Sequence, residues 1–412
     1  MTLALQRKTS TANLLRLFLP FGLGYFVSYL FRTVNAVIAP DLVAELGLSP
    51  ADLGLLTSTY FLSFAAFQLP LGVLLDRFGP RRIEAMLLLV AASGALLFAL
   101  AESLSGLIIG RALIGLGVSA CLMAAFKAFS SWLSPERIPF ANGVQMVSGG
   151  LGALCATTPV QAALQITDWR GVFIVMAGLA LLAAVIIFLF VPEAEAGKID
   201  ISLSDQLAGL RRVLTSRDFW HIAPWAVSSQ SAYLSIQGLW SGPWLRDVAG
   251  YGRDDVAQLL WWIAVTMIVG YFGFGSLAGR LARRGIQPVF VAVCGMGIFI
   301  LLQLLLVLVP GYAVLLWLGF GFFGTTAILI YAVLSQVFPA QLSGRCNTAL
   351  NLLVFVAAFA SQWLIGAVIG HWSTDQAGGY QPEGYHAAFL ILIAAQLLTA
   401  VWYFVAGKCF RS

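Results

Sequence analysis

Apolar residues run along this chain in twelve long stretches separated by short polar segments. About 20 predominantly apolar residues suffice for an α-helix to cross the hydrocarbon core of a bilayer. Six stretches lie in the first half of the chain, at 14–39, 53–75, 84–102, 106–131, 139–164 and 170–191. Six more follow a polar gap, at 219–245, 256–279, 287–309, 312–338, 346–370 and 385–407. The pattern predicts an all-α integral membrane protein with twelve transmembrane helices.

The polar gap divides the chain into two halves of similar length. We therefore expect an N-terminal six-helix bundle at 1–191, a cytoplasmic linker at 192–218 and a C-terminal six-helix bundle at 219–412. Leucines at helical spacing within the gap predict a short amphipathic helix on the inner leaflet. These leucines are Leu203, Leu207, Leu210 and Leu214. An ordinary tethering linker is the alternative, and the two are compatible.

Composition and charge support a membrane protein and give it an orientation. Charged residues make up 10% of the chain and mean hydropathy is +0.90, whereas soluble proteins carry roughly 25% charged residues. With the N-terminus inside, eighteen lysines and arginines fall in cytoplasmic segments and three in external loops. This bias predicts cytoplasmic termini in a cytoplasmic (inner) membrane. The net charge of +5 is thus a topology signal, and no nucleic-acid partner is expected.

Several chemical signatures are missing from the sequence. No phosphate-binding loop occurs, and no cysteines or histidines have metal-ligand spacing. We find no catalytic cluster of His, Asp or Cys near an interface. The chain is therefore expected to be no enzyme, to need no cofactor or metal, and to work as a monomer within the lipid bilayer.

The turn between the second and third predicted spans, Gly72–Arg82, recurs in degraded form at Gly275–Gly285. The offset is 203 residues, almost half of the chain. Three further identities share it, in the pairs Pro40 and Pro243, Gly47 and Gly250, and Asp52 and Asp255. Turn and close-packing residues are those that a duplicated helical scaffold must retain. Two parallel repeats of this kind are typical of secondary transporters.

The first copy of this turn reads Gly72-x-x-x-Asp76-Arg77-x-Gly79-x-Arg81-Arg82, and span 4 contains Arg111-Ala-Leu-Ile-Gly115-Leu-Gly117. Both resemble motifs of the major facilitator superfamily, and the resemblance covers essentially the whole chain. It implies two six-helix bundles around a central cavity that opens alternately to each side. It also implies that the first motif stabilises the state closed to the cytoplasm. The arginines could instead be simple topology anchors. The gating candidates are Gly72, Asp76, Arg77, Gly79, Arg81 and Arg111.

Arg32 lies well inside span 1, with Tyr29 and Asn35 nearby on the helix. A buried guanidinium is costly unless it is paired or hydrated, so its default interpretation is functional. The segment from Arg32 to Pro40 is similar to that of organophosphate and organic-anion transporters in the superfamily, where such an Arg binds the anionic group. The alternative is a structural brace.

Uncharged polar and aromatic residues complete the predicted substrate site. Those in span 7 are spaced to share one helical face. For each residue, hydrogen bonding between helices is the alternative role. The candidates are Gln68, Gln145, Tyr233, Gln237, Trp240 and Tyr331.

The acidic residues limit the mechanism. No Asp or Glu lies in the middle of any predicted span, which argues against carboxylate-based proton coupling and leaves antiport, uniport or coupling through the substrate's own charge. Lys127, near the inner end of span 4, is expected to extend its amine towards the interface. The sequence predicts a secondary active transporter of a small organic solute, with an organic anion as the first choice. Efflux of an amphipathic metabolite or drug is the alternative, and a receptor on the same fold is a third interpretation.

Overall fold

The computed structural model describes residues 11–133, 138–192, 203–374 and 379–409. Apart from one antiparallel bridge between Thr374 and Tyr380, the regular structure in these ranges is helical. The all-α prediction is therefore confirmed. The predicted linker falls partly outside the described residues, since 193–202 are not among them.

The first six spans are formed by α1 (Thr11–Thr33) with α2 (Asn35–Leu46), α3 (Pro50–Phe78), α4 (Pro80–Leu100), α5 (Leu104–Gly117) with α6 (Cys121–Trp132), α7 (Ile138–Cys155) with α8 (Thr158–Ala163), and α9 (Trp169–Phe190). The linker contains α10 (Leu203–Leu214). The second six are α11 (Arg217–Ser235), a π-helical segment (Ile236–Trp240) and α12 (Ser241–Asp247), α13 (Arg253–Ala282), α14 (Pro288–Leu308), α15 (Ala313–Phe323) with α16 (Leu329–Val337), α17 (Ala340–Ile369) and α18 (Pro382–Cys409). These twelve spans form two six-helix bundles.

The first span of each bundle is irregular at the same place in the repeat. Helices α1 and α2 meet at Val34 with a bend of 45°. The π-helical segment Ile236–Trp240 lies one repeat offset later in the chain. Interrupted helices at corresponding positions of two repeats are the best structural pointer to a transporter's binding site.

Glycines of the repeat end helices in both halves. Gly47 follows α2 with φ +62°, and Gly250 lies in the turn after α12 with φ +72°. An L-residue with a side chain rarely adopts this left-handed conformation. The turn function predicted for this matched pair is confirmed.

The two halves meet closely at one end of the molecule. We call the end with the α3–α4 turn at Gly79 the inner end, and the end with the α2–α3 turn at Gly47 the outer end. At the outer end Arg253 of α13 forms an ion pair with Asp41 of α2. Nearby, Gln161 Nε2 donates to Asp254 Oδ1 at 3.1 Å. These contacts tie the first half to the second at the outer end.

Glycine environments differ between the two ends. At the outer end a Cβ built on Gly242 of α12 would collide with the carbonyl oxygen of Ala36 in α2. At the inner end, a Cβ on Gly275, Gly279 or Gly344 would meet no atom within 4 Å. Helices of the two halves thus approach closely at Gly242 near the outer end, whereas these inner-end glycines make no such contact.

The amphipathic helix predicted in the linker is present as α10. It packs against α17 rather than only on a lipid surface. Val213 is fully buried, and the side chain of Arg345 from α17 lies against Gly209. The linker helix is therefore part of the protein's own packing.

Candidate functional site

Arg32 lies in the last turn of α1 and is 8% exposed. Its guanidinium carbon is 4.5 Å from the ring centroid of Tyr29, 5.4 Å from that of Phe355 and 5.7 Å from that of Phe64. Cations are attracted to aromatic faces within about 6 Å. Nε has no hydrogen-bond partner, and none of the ion pairs between described residues includes Arg32. The charge is thus held by aromatic rings and left without an acidic partner.

Both halves supply the rings around this guanidinium. Phe64 of α3 and Phe355 of α17 stack at 4.3 Å between centroids. Tyr29 meets Tyr25 edge-on at 5.0 Å. Because α3 and α17 belong to different halves, a movement between the halves must change the surroundings of Arg32.

Three predicted candidates from the second half lie at or near this cluster. Tyr233 is 2% exposed, and its hydroxyl has no hydrogen-bond partner. Gln237 is half-buried; its amide donates to the sulfur of Met267 at 3.5 Å, and its side chain lies close to the Tyr233 hydroxyl. Tyr331 donates to Asn351 Oδ1 at 3.1 Å and is close enough to interact electrostatically with Arg32. These groups keep hydrogen-bonding capacity that a bound solute could use.

Three other candidates are engaged with backbone carbonyls. Gln68 Nε2 donates to Ser119 O at 3.3 Å, and Trp240 Nε1 donates to Gln362 O at 3.0 Å. Gln145 Nε2 donates to the carbonyl oxygens of Phe21, at 3.0 Å, and Cys121, at 3.3 Å. These bonds join neighbouring helices, which is the alternative role weighed for each residue.

The span-7 candidates do not share a regular helical face. Tyr233 lies in α11, whereas Gln237 and Trp240 lie in the π-helical segment. A π-helix closes its turns with i→i+5 bonds, so residues after the transition leave the α-helical register. Consequently the Trp240 indole is fully buried and turned towards α17. The prediction of one common face was wrong for this reason.

Asn35 begins α2 just after the bend and is 1% exposed. Its Oδ1 has no hydrogen-bond partner. Next to it, Arg111 of α5 is 1% exposed, and its Nη2 donates to Phe31 O at 2.9 Å. The last carbonyls of a helix lack partners within it. Arg111 therefore braces the end of α1 just before the bend, one of the two roles expected of it.

The gating motif lies at the α3–α4 turn, as predicted. Asp76 forms an ion pair with Lys127 of α6, at side-chain exposures of 28% and 32%. Lys127 thus extends its amine to an acidic partner within the same bundle, near the inner end of α3. The partner of Asp76 is thus a lysine that lies 51 residues away along the chain.

The rest of the motif shapes and anchors the turn. Gly79 has φ +80° and lies between the two helices, where it is the C-cap of α3 and the N-cap of α4. Arg81 Nη1 donates to Val191 O at 3.4 Å, and the Arg77 guanidinium lies 5.3 Å from the ring of Phe78. Gly72 lies half-buried in α3, one helical turn before Asp76.

Glu84 is a buried acid that the sequence did not reveal. The predicted third span started at this residue, but α4 begins at Pro80, which occupies the first turn of the helix. Glu84 therefore falls inside the helix and is 0% exposed. The sequence did not predict that an acid in the second turn of α4 would be fully buried.

Comparisons with known proteins agree with this arrangement. The family model described as Major Facilitator Superfamily matches residues 21–362. The chain is 24% identical over 371 residues to a probable sulfoacetate transporter, SauU, of Cupriavidus necator, covering 84% of this chain and 85% of that protein. It is 27% identical over 380 residues to the niacin transporter NiaP of Acinetobacter baylyi, covering 89% of this chain and 79% of that protein.

A solved structure shares the fold over nearly the whole length. It is a bacterial homologue of the human lysosomal transporter Spinster, with a TM-score of 0.78 at 19% identity, covering 97% of this chain and 98% of that one. The match to the family model spans most of both bundles, and the similar proteins are transporters rather than enzymes. The chain is therefore an integral membrane transporter of small organic solutes that belongs to the major facilitator superfamily.

Proposed function

We propose that this chain is a secondary active transporter that carries a small organic anion across the cytoplasmic membrane by alternating access. Arg32 binds the anionic group. The observation that carries the proposal is a guanidinium buried at the junction of the two halves, with an unpartnered Nε and no acidic partner among the described residues.

Electrostatics favour an anionic ligand at this position. A buried charge without a partner is expensive, and an anion that meets the planar donor fork of arginine can make two charged hydrogen bonds. A cationic ligand would add a second positive charge near Arg32 and Arg111, whose guanidinium groups both face the ring of Tyr60. Two of the similar proteins are named as transporters of sulfoacetate and of niacin, which is consistent with an anionic substrate.

Around the anion we assign Tyr29, Tyr233, Gln237 and Tyr331 to the substrate site. The ring of Tyr29 holds Arg32, and the others have hydrogen-bonding groups with weak partners or none, or with a single side-chain partner. Asn35, with its free Oδ1, lies at the bend. For the remaining candidates we propose helix bracing, because their amide or indole donors are committed to carbonyls; they are Gln68, Gln145 and Trp240.

The asymmetry of the two ends supports alternating access. The outer end is joined by an ion pair and by close helix contact, whereas three inner-end glycines face open space. Asp76 pairs within its own bundle. We propose that this is the state closed to the outside, that both termini and the inner end face the cytoplasm, and that the protein acts as a monomer.

Binding titrations with purified Arg32 variants test the proposal. A thermal-shift screen with nicotinate, sulfoacetate, glucuronate and the cation tetraphenylphosphonium comes first, followed by calorimetry on the best ligand. Arg32→Gln should weaken anion binding about 30-fold, or roughly 2 kcal/mol, because it removes the charged partner. Arg32→Lys should give an intermediate loss, since the charge remains but the planar fork does not.

Arg284→Gln is the matched control, because it removes an exposed guanidinium near the inner end. It should bind like the parent protein. Equal affinity of Arg32→Gln and the parent for an anion would refute the role of Arg32. Preference for tetraphenylphosphonium over all three anions would replace the proposal with efflux of an amphipathic solute.

A further inference from the structure

Glu84 has a carboxyl group enclosed by three helices other than its own. The residue is 0% exposed, and its carboxyl interacts with a weak hydrogen-bond donor, the thiol of Cys121, but with no stronger donor among the described residues. A Cβ built on Gly24 of α1 would collide with Oε1, and the same point is 3.4 Å from Ile187 Cδ1 of α9. The thiol of Cys121 in α6 faces the carboxyl from the third side.

No cation compensates this acid among the described residues. The contact from α1 is Gly24 and that from α9 is Ile187. The buried charge of α1, on Arg32, lies two helical turns from Gly24 and interacts electrostatically with Cys121. From α6 the titratable neighbour is the Cys121 thiol. Of the nearby charges of α3 and α5, Asp76 pairs with Lys127, and Arg111 donates from Nη2 to the Phe31 carbonyl while its Nε and Nη1 have no hydrogen-bond partner. An isolated carboxylate in such a place is strongly disfavoured against the neutral acid.

The helices that enclose Glu84 are those that carry the site and the gate. Helix α1 bears Gly24 and, two turns further on, Arg32. Helix α6 bears Cys121 and, further along, Lys127, the partner of Asp76. A shift of α1 or α6 against α4 would expose the carboxyl to water, where the ionised form is stable. Protonation of Glu84 is therefore coupled to movements of α1, which carries Arg32, and of α6, which carries Lys127.

We propose that Glu84 is a proton-binding site that couples H⁺ movement to transport of the organic anion. In the conformation described, the carboxyl holds its proton. When the bundle rearranges, water reaches the group, the O–H bond breaks, the proton leaves as hydronium and a carboxylate remains. Return to the packed state requires a proton from the solution on the other side. The inference that this proton accompanies an anion rests on the proposed function, whereas the proton site itself does not.

Infrared difference spectroscopy of the purified full-length protein tests the proton site without any substrate. The parent protein at neutral pH should show the C=O stretch of a protonated, weakly hydrogen-bonded carboxylic acid. That band should be lost in Glu84→Gln and kept in Glu102→Gln, which changes an exposed carboxyl in the turn after α4. If the spectra of the parent and of Glu84→Gln show no difference in this band, the proposal is overturned.

Proteoliposomes with a trapped pH-sensitive dye test the coupling. The probe is radiolabelled nicotinate or sulfoacetate, whichever binds in the titrations above. Glu84→Gln should keep anion exchange at the parent rate, while accumulation driven by a pH gradient and the accompanying proton flux are lost. Glu102→Gln should keep all three activities. Proton flux in Glu84→Gln equal to that of the parent would overturn the coupling.

The infrared and transport experiments also separate this inference from the proposed function. If Arg32→Gln binds anions normally but the Glu84 band is present, the anion assignment fails and the proton site stands. If the band is absent while Arg32→Gln has lost anion binding, the reverse holds. A melting temperature equal to that of the parent confirms that Glu84→Gln is folded. The infrared band itself is measured on the parent protein and does not depend on the folding of a variant.

Discussion

Gly117 shows how single residues set the distance between helices in this protein. It lies at the end of α5, where a Cβ would come 2.6 Å from Leu87 O of α4. Real Cβ atoms do not approach this closely, and a backbone carbonyl cannot step aside as a flexible side chain can. Membrane helices gain stability from such close approach, because lipid gives no hydrophobic drive between them. Gly117 therefore sets the close approach of α5 to α4.

Gly117→Ala should lower the unfolding free energy by about 1–3 kcal/mol, the usual cost of overpacking. Gly279→Ala is the control, since that position is in a helix and a Cβ there meets nothing within 4 Å. It should be neutral or stabilise by up to about 1 kcal/mol, because alanine favours the helix. Thermal unfolding in detergent gives the comparison. Equal melting temperatures for the two variants would contradict the packing argument.

At the scale of elements, the gating motif at the α3–α4 turn is tied to another helix of the same bundle. Asp76 and Lys127 join α3 to α6 by an ion pair that is partly open to solvent. If transport requires Asp76 to change partners, this ion pair is present in one conformational state of the transporter and broken in the other. The energy involved is modest, since exposed pairs contribute roughly 0.2–1 kcal/mol.

Asp76→Asn should lower the rate of transport while leaving anion affinity within about twofold, because the pair lies away from Arg32 and contributes little binding energy. Exchange of the two residues, Asp76→Lys with Lys127→Asp, should recover part of the rate by restoring the pair. Initial rates in proteoliposomes and calorimetric titrations measure the two quantities. Unchanged rates in Asp76→Asn would exclude a gating role for the motif.

The sequence predicted the elements that are marked by patterns of residues along the chain. Long apolar stretches predicted the spans, and the repeat predicted the matched turns at Gly47 and Gly250. The partner of Asp76 was not predictable, because Lys127 lies 51 residues away and meets it only through packing. The burial of Glu84 depends on a helix start four residues earlier than expected. The aromatic rings of Phe64 and Phe355 around Arg32 come from different halves, and no spacing rule relates them.

For the whole molecule, the contacts between halves are concentrated at the outer end and at the level of Arg32. Arg253 and Asp41 pair there, Gln161 donates to Asp254, and Gln362 Nε2 donates to Thr57 Oγ1 at 2.6 Å. If alternating access operates, these bonds must break for the outside to open. The outer ion pair then contributes to the balance between the two states.

Arg253→Glu should shift the population towards an outward-open state, because it sets two carboxylates against each other. Spin labels on the outer ends of α2 and α13 should report longer distances. Adding Asp41→Arg should restore the attraction and the shorter distances. The shift should shrink in high salt, since side-chain exposures of 45% and 28% allow screening. Identical distance distributions in the parent and Arg253→Glu would show that the pair has no part in closure.

The π-helical segment also affects which changes in length the chain can tolerate. A turn closed by i→i+5 bonds holds one residue more than a turn closed by i→i+4 bonds. Deleting one residue within Ile236–Trp240 would let α11 continue into α12 as one regular helix, with the flanking residues still facing their neighbours. The same deletion in the uninterrupted α14 would rotate everything beyond it by about 100°. Insertions and deletions of a single residue should therefore accumulate at this point of span 7 as homologous chains diverge.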